Sequence, residues 1–161
     1  MLNIVKGKMD DPHHAVALVQ LLDLYAHDPA GGGKGLSDYA RAHLPEAIRG
    51  RDHVHVVLAF EEKEPAGLIV CIEGFSTFAC RPLMNIHDVV VAPRFRGQGI
   101  ATRMLEAVEA LARERGCCKL TLEVLEGNHP ARAAYRKFGF NGYQLDPEMG
   151  QAQFWEKPLH G

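Results

Sequence analysis

Residues 94–105 read RFRGQGIATRML. Gly97 and Gly99 stand two positions apart behind Arg96, and a helix-like pattern of apolar residues follows them. The first N–H groups of a helix have no partner inside the helix, and the helix dipole adds positive charge there. Glycines would leave these groups open to a phosphate. The stretch therefore predicts an anion-binding turn between a strand and a helix, with a plain turn as the alternative.

Two common nucleotide-binding loops do not fit this stretch. A P-loop requires G-x-x-x-x-G-K-[ST], and in the other glycine-rich segment, AGGGKGL, Lys34 is followed by glycine. A dinucleotide-binding loop requires a third glycine where Thr102 stands, and it follows the first strand of its sheet. The present turn follows the fourth predicted strand, so both classes of site are excluded.

The composition is that of an ordinary globular protein. The 161 residues suit one domain, predicted over residues 1–161, and the net charge of -2 lacks the basic excess of nucleic-acid-binding proteins. No apolar run reaches membrane-spanning length, and residues 1–11 lack a signal-peptide core. The four cysteines form no C-x-x-C pair and are interpreted as free thiols in a reducing compartment. We expect a cytoplasmic protein with no nucleic-acid or membrane partner.

The periodicity of apolar residues predicts a mixed α/β domain. Helices are predicted after Asp11, Ser37, Gly99 and Asn128, where capping residues precede helical spacing. Pro45 is expected to interrupt the second helix. The predicted strands are 2–6, 53–60, 66–78, 84–91, 119–125, 142–145 and 153–158. The resulting order is β-αα-βββ-α-β-α-ββ.

Longer motifs surround the opening stretch and recur near the C-terminus. Residues 91–101, VAPRFRGQGIA, match V-x-P-x-x-[RQ]-G-x-G-[IVL]-[GA], and residues 128–140 match N-x-x-A-x-x-x-Y-x-x-x-G-F. With these motifs and this element order, the sequence resembles the GNAT superfamily of N-acetyltransferases along essentially its whole length. The resemblance implies the GNAT fold, whose mixed central sheet is splayed between strands 4 and 5, and acetyl-CoA as co-substrate.

The resemblance also implies roles for individual residues. Backbone groups of Val89 and Val91 would bind the pantetheine arm, and Asn128 would contact the pantetheine end. Tyr135, two helical turns after Asn128 and so on the same helix face, would protonate the leaving thiolate; a core aromatic is the alternative. The pyrophosphate would be held by amides of Arg96, Gly97, Gln98, Gly99, Ile100, Ala101 and Thr102.

A base is needed because an amine attacks a thioester only after losing a proton. His87 and Asp88 lie on the fourth predicted strand, next to the splay, and their side chains are expected to point to opposite faces. The region also resembles the diamine and thialysine acetyltransferase branch, in which Ser76, Thr77 and Asp88 match and His87 replaces the family glutamate. Either His87 or Asp88 is the predicted base. Local packing or hydrogen bonding is the alternative for His87, and a structural acceptor at the end of the strand is the alternative for Asp88.

Other residues are candidates for the acceptor site. The loop between the first two helices contains GGGKG (31–35) and is predicted to be a mobile lid. His53 and His55 share a strand face, but no third ligand has a motif spacing, so no metal is predicted. The candidate substrate-binding residues are Tyr25, His27, Asp28, Glu73 and His87, with a solvated surface position as the alternative for the first four.

The predicted function is an acetyl-CoA-dependent N-acetyltransferase that acts directly on a primary amine of a small molecule, such as a polyamine or an amino acid. Two alternatives stay open at this point: acetylation of a protein lysine or N-terminus, and an acyl-CoA-binding sensor without turnover. The apolar terminal segment QFWEKP (153–158) suggests a homodimer, because members of the superfamily often pair through such strands.

Overall fold

The computed structural model describes residues 1–142 and 147–159. The chain divides into two compact units, Met1–Leu125 and Glu126–Gly161, which we describe separately. One domain over residues 1–161 therefore stays a prediction. The elements are β1 (Leu2–Lys6), α1 (Pro12–His27), α2 (Asp38–Arg49), β2 (Val54–Glu61), β3 (Glu64–Ser76), β4 (Arg81–Val91), α3 (Ile100–Glu114), β5 (Leu120–Leu122) and α4 (His129–Phe138). No helix in the described ranges is long and apolar enough to cross a membrane.

The first two helices begin at the predicted caps. The Asp11 carboxylate accepts a hydrogen bond from the His13 N–H at 2.9 Å, and the Ser37 hydroxyl accepts one from the Ala40 N–H at 3.1 Å. These bonds satisfy N–H groups that have no partner inside the helix. The expectation that Pro45 interrupts the second helix is wrong, because α2 runs through it. Since α2 has no fully buried residue, the carbonyl that loses its partner at the proline can bind water.

A five-stranded sheet in the order β1-β2-β3-β4-β5 forms the centre of the first unit. Neighbouring strands are antiparallel from β1 to β4, and β5 runs parallel to β4. Leu68 and Val70 pack with α1, whereas a Cβ on Gly67 would lie 2.8 Å from Cε of Met104 on α3. Since side chains alternate along a strand, α1 and α3 cover opposite faces of the sheet, called here the α1 face and the α3 face.

Both faces bury apolar side chains against their helix. The burial follows the helical spacing that the sequence predicts for α1 and α3. On the α1 face the buried residues are Ala17, Leu18, Leu21, Val56, Leu58, Phe60, Leu68, Val70 and Val90. On α3 they are Ile100, Met104, Leu105, Val108 and Ala112.

A β-bulge interrupts the pairing of β3 with β4. Val70 is opposite Asp88 and Cys71 is opposite Ile86, so His87 is an extra residue with no partner position on β3. Because Val70 points to the α1 face, its partner Asp88 points there too. In an unbroken strand Asp88 would share the face of Ile86. The bulge therefore turns Asp88 to the side of α1.

β4 and β5 separate where the bulge occurs. Their parallel pairing covers only Met84 to Ile86 and Leu120 to Leu122, so β5 is shorter than the predicted strand 119–125. Beyond Ile86, no strand in the part of the chain that the structure describes pairs with this edge of β4. The splay predicted between the fourth and fifth strands is thus present, and backbone groups of residues 87–91 line it.

The two predicted C-terminal strands have different outcomes. The first, 142–145, falls almost wholly on residues 143–146, which lie outside the described residues. The second, 153–158, is wrong, because residues 150–159 form no strand and are exposed. An apolar segment becomes a strand only where a neighbouring edge accepts its backbone hydrogen bonds. The terminal-strand argument for a homodimer loses its basis here.

Candidate active site

The bulge gives the two predicted bases different environments. His87 is exposed, whereas Asp88 is half-buried. Burial raises the pKa of the Asp88 carboxyl, because few waters remain to stabilise its charge, and the adjacent His87 opposes this effect. A carboxylate of raised pKa is a stronger base than an ordinary one, so Asp88 has the chemical character that proton removal requires.

Asp88 faces the C-terminal end of α1. The pKa of the Tyr25 phenol is raised, first by burial and then by the negative charges of Asp88 and Asp28. Three of the residues predicted from the sequence, each half-buried, therefore interact electrostatically at this end of α1. Negative charge in such a region suits the binding of an amine.

Hydrogen bonds order the segment that follows α1. The Asp28 carboxylate accepts from the Ala30 N–H at 2.9 Å, and the Asp28 carbonyl accepts from Gly31 at 2.8 Å and Gly33 at 3.0 Å. The Tyr25 hydroxyl donates to the Ala30 carbonyl at 3.5 Å. The first half of the predicted lid is therefore a defined turn joined to Tyr25.

His27 lies apart from this group. Its Nδ1 is 2.8 Å from the Asp23 carbonyl, and a Cβ added to Gly35 would be only 2.5 Å from its Cε1. The imidazole thus packs against the returning end of the loop. The sequence places His27 next to Asp28, but the helix turns the two side chains to different surroundings.

Glu73 is also separate from Asp88. Its position opposite Met84 on the neighbouring strand places it on the α3 face, where it forms a short ion pair with Arg115. Arg115 lowers the pKa of the Glu73 carboxyl, chiefly through this hydrogen bond. Glu73 therefore has a structural partner on the far side of the sheet from Tyr25 and Asp28.

The turn between β4 and α3 is held at both ends. Phe95 is buried, and the Ala92 N–H donates to the Ala66 carbonyl at 2.9 Å. Arg94 forms an ion pair with Glu64 at 2.7 Å. These contacts fix the start of the turn, so that residues 96–99 are exposed at a defined place.

The glycines of this turn have a conformation that other residues rarely adopt. Gly97 has φ 79° and Gly99 has φ 77°, and a Cβ on either would point into open space. Among the described residues, Arg103 is the first on α3 whose N–H has a backbone acceptor, the Gly99 carbonyl at 3.1 Å. The N–H groups of residues 100–102 have no backbone acceptor among the described residues, which fits an anion.

Arg96 supports the same turn. Its Nε donates to the Val91 carbonyl at 3.2 Å, and the residue is exposed. This bond ties the turn to the end of β4, beside the splay. Val89 points to the α3 face opposite Ile69, so only its backbone is available along the open edge.

The second unit contains α4. The Asn128 side chain caps this helix by accepting from the Ala131 N–H at 3.4 Å. Tyr135 is half-buried, and its ring contacts Phe140 edge-on with 5.9 Å between the centroids. Gly139 ends the helix with φ 117°. The motif residues that the sequence singles out thus begin, occupy and terminate one helix.

His55 enters the sequence analysis only as half of a metal site, and its burial is not predicted there. It is 6% exposed, and among the described residues its Nε2 has no hydrogen-bond partner. The Glu73 carboxylate lies 3.9 Å away but is engaged by Arg115. Burial lowers the pKa of the imidazole, and Arg115 and Lys6 lower it further. The sequence signal available was a histidine inside an apolar strand.

We expect His55 to make the protein less stable in acid. Its pKa in the folded state lies below the ordinary value of 6.5, so the unfolded chain binds the proton more tightly. The loss in free energy of unfolding caused by His55 is absent well above pH 6.5. It grows as the pH falls below 6.5 and levels off below the folded-state pKa of His55. Urea unfolding of His55→Leu should therefore show a gain over wild type that is larger at pH 5 than at pH 7.5.

The control for this measurement is His43→Gln, since His43 is exposed on α2. A constant difference between His55→Leu and wild type across this pH range would contradict the assignment. The network of Glu73 with Arg115 acts in a separate range, because the pKa of Glu73 is lowered from 4.5 and its contribution is lost only in stronger acid.

The sequence profile of the acetyltransferase (GNAT) family matches residues 18–140. The chain belongs to this family. The match includes the end of α1, the bulged strand and the glycine turn of the first unit, and α4 of the second. Among the residues that the structure describes, no group of three or more His, Cys, Asp or Glu side chains could hold a metal ion.

Known acetyltransferases are similar to this chain in sequence or in fold. A streptothricin acetyltransferase of Streptomyces lavendulae is 43% identical over 42% of this chain and 36% of its own length. A thialysine N-epsilon-acetyltransferase of Caenorhabditis elegans is 34% identical over 51% of each protein. The chain thus matches about a third to a half of the length of these relatives. The solved structure of AAC(6')-Iy with a CoA-containing bisubstrate analogue covers 99% of both chains with a TM-score of 0.78, and at 17% identity this likeness concerns the fold.

Proposed function

We propose that the protein is an acetyl-CoA-dependent N-acetyltransferase that passes an acetyl group directly to a primary amine of a small molecule. The observation that most supports this is the half-buried Asp88, with its raised pKa, at the splay of β4 and β5. Acting as the base, Asp88 would lie on the strand that leads into the glycine turn. The family membership supplies the reaction class.

The residues around the splay fit acetyl-CoA. The open amides from residue 97 to 102 and the positive charge of Arg96 suit its pyrophosphate. The open backbone edge of β4 at Val89 and Val91 has no strand partner among the described residues and suits the amides of its pantetheine arm, although the Val91 carbonyl is already bonded to Arg96. Asn128 would contact the same arm. When bound, acetyl-CoA supplies a thioester as acyl donor.

The protein itself contributes the proton transfers and the groups that orient the two substrates. Asp88 accepts the proton of the incoming amine, directly or through water, and so frees the nitrogen lone pair. His87, exposed beside it, tunes the Asp88 pKa rather than taking the proton itself. Tyr135 donates a proton to the departing thiolate. Strand amides at the splay stabilise the negative charge that develops on oxygen.

The acceptor side of the site favours a cationic small molecule. Asp28 and Asp88 contribute negative charge that acts on Tyr25, and such a region attracts ammonium groups. The relatives are named for acetylation of streptothricin and of thialysine, both small molecules. A polyamine, an amino acid or a similar amine fits this chemistry.

Turnover tests the proposal. We expect release of free CoA from acetyl-CoA with at least one amine in a panel of polyamines, amino acids and aminoglycosides. Tyr135→Phe should lower kcat by about 10²-fold, the lower end of the usual contribution of a proton donor, because a thiolate is already a good leaving group. Binding of acetyl-CoA to this variant, measured by calorimetry, is the control and should be retained. Full activity of Tyr135→Phe would remove Tyr135 from the mechanism.

The same panel separates the alternative functions. Acetylation of peptides with no activity on small amines would indicate a protein acetyltransferase. Acetyl-CoA binding with no acceptor in either set would indicate a sensor. A cytoplasmic location and a homodimer stay predictions, and size-exclusion chromatography with light scattering would measure the latter.

A further inference from the structure

A pair of side chains holds the loop that leads from α1 to α2. The Asp23 carboxylate accepts from the Leu36 N–H at 2.9 Å, across thirteen residues of sequence. The same carboxylate is 3.0 Å from the Arg41 guanidinium, whose Nε donates to the Leu36 carbonyl at 3.2 Å. Both polar groups of the Leu36 backbone are therefore held by one ion pair, which we call the loop clamp.

The loop clamp holds one end of a segment whose other end belongs to the candidate acceptor site. The segment starts with Asp28 and with the turn that is bonded to Tyr25. At its far end, a Cβ on Gly35 would be 2.9 Å from the Asp23 carboxylate, so the chain passes close to the clamp. Between these ends, Gly32 at φ 107° and Gly33 at φ 78° have no atoms near a Cβ position.

We propose that Asp23 is a positioning residue that, with Arg41, fixes the acceptor loop so that Asp28 and Tyr25 stay in place for the amine. This inference rests on the proposed function for its kinetic part only. Asp23 does not touch the reacting atoms. Its contribution is to keep a glycine-rich segment ordered before the substrate arrives, so that amine binding does not have to order it.

The mechanism predicts an effect on one substrate alone. If the loop is held in place only part of the time, the apparent affinity for the amine falls by that fraction. We expect Asp23→Asn to raise the KM for the amine by about 10-fold, which corresponds to the ordering of one or two residues. The KM for acetyl-CoA and kcat should stay within about 2-fold of wild type, because Gly97, Gly99 and Asp88 are untouched.

Limited proteolysis tests the clamp without any enzyme activity. Lys34 is exposed between glycines, so trypsin can cut after it once the loop is released. Asp23→Asn should be cut there several-fold faster than wild type. Arg41→Met, which removes the other half of the clamp, should behave the same way. Asp38→Asn is the matched control, since it removes an exposed carboxylate near the same loop and leaves the clamp intact.

The two measurements give distinct outcomes. Faster cleavage together with a higher amine KM, each partly restored in Asp23→Glu, supports the proposal. Unchanged cleavage in both clamp variants would overturn the clamp, and faster cleavage with an unchanged amine KM would overturn its role in acceptor binding. If no amine is acetylated, the proposed function fails while the cleavage result still decides whether the clamp holds the loop.

Discussion

Asp88→Asn should lower kcat/KM for the amine by about 10²- to 10⁴-fold, the usual contribution of a general base. The amide has nearly the shape of the carboxylate but cannot accept the proton of an ammonium group. Asp88 points to the α1 face beside Tyr25, and burial raises its pKa. Steady-state release of CoA, measured against amine concentration, checks the expectation.

The same variant should unfold at no lower a urea concentration than wild type. The folded-state pKa of Asp88 lies above the ordinary 3.8, so stability falls as the pH rises from that value through the folded-state pKa. At pH 7 the ionised carboxylate costs stability, and Asn removes this cost. A variant that is both inactive and markedly less stable would point to a structural role instead.

His87→Gln is the matched control for the choice of base. His87 is the extra residue of the bulge and is exposed, so its replacement should change kcat/KM by less than about 10-fold. If His87→Gln lowers kcat/KM by about 10²- to 10⁴-fold while Asp88→Asn retains activity, the base is His87.

The second large effect is expected at the glycine turn. Gly99→Ala should raise the KM for acetyl-CoA by about 10- to 100-fold, since hydrogen bonds to a charged pyrophosphate contribute about 1.5–3 kcal/mol each. Gly99 has φ 77°, and a Cβ there would enter the space before α3. The backbone strain of alanine at this φ should also cost about 1–2 kcal/mol of stability. Acetyl-CoA titration and urea unfolding measure the two effects.

Gly116→Ala separates strain from ligand binding. Gly116 also has φ 77° with open space around a Cβ, but it follows the other end of α3. It should lose a similar amount of stability and keep the acetyl-CoA KM of wild type. Equal effects of both variants on KM would mean that strain, and not the pyrophosphate, explains the result at Gly99.

Local signals in the sequence predicted most of the fold. Caps at Asp11 and Ser37 and apolar residues at helical spacing predicted where helices begin and which faces they bury. These features depend on a few neighbouring residues, so they can be read without the rest of the chain. The terminal strand 153–158 was wrong for the opposite reason, because a strand depends on an edge supplied by another part of the chain.

The candidate site was predictable in part. RGQGIA and the block from Asn128 to Phe140 indicated the family, because glycine conformation and helix capping are encoded locally. The sequence could not distinguish His87 from Asp88. No residue type in β4 indicates a β-bulge. Only the pairing of β4 with β3 shows that His87 has no partner position.

The sequence by itself determined the order of elements from β1 to α4, the glycine turn at the start of α3 and the family. The tertiary structure decided which carboxyls act together. It turned Asp88 towards Tyr25 and Asp28, placed Glu73 on the other face beside Arg115, and brought Asp23 to Leu36. The physical reason is that a side chain's face and neighbours depend on strand register and on contacts between distant residues, which no short stretch of sequence contains.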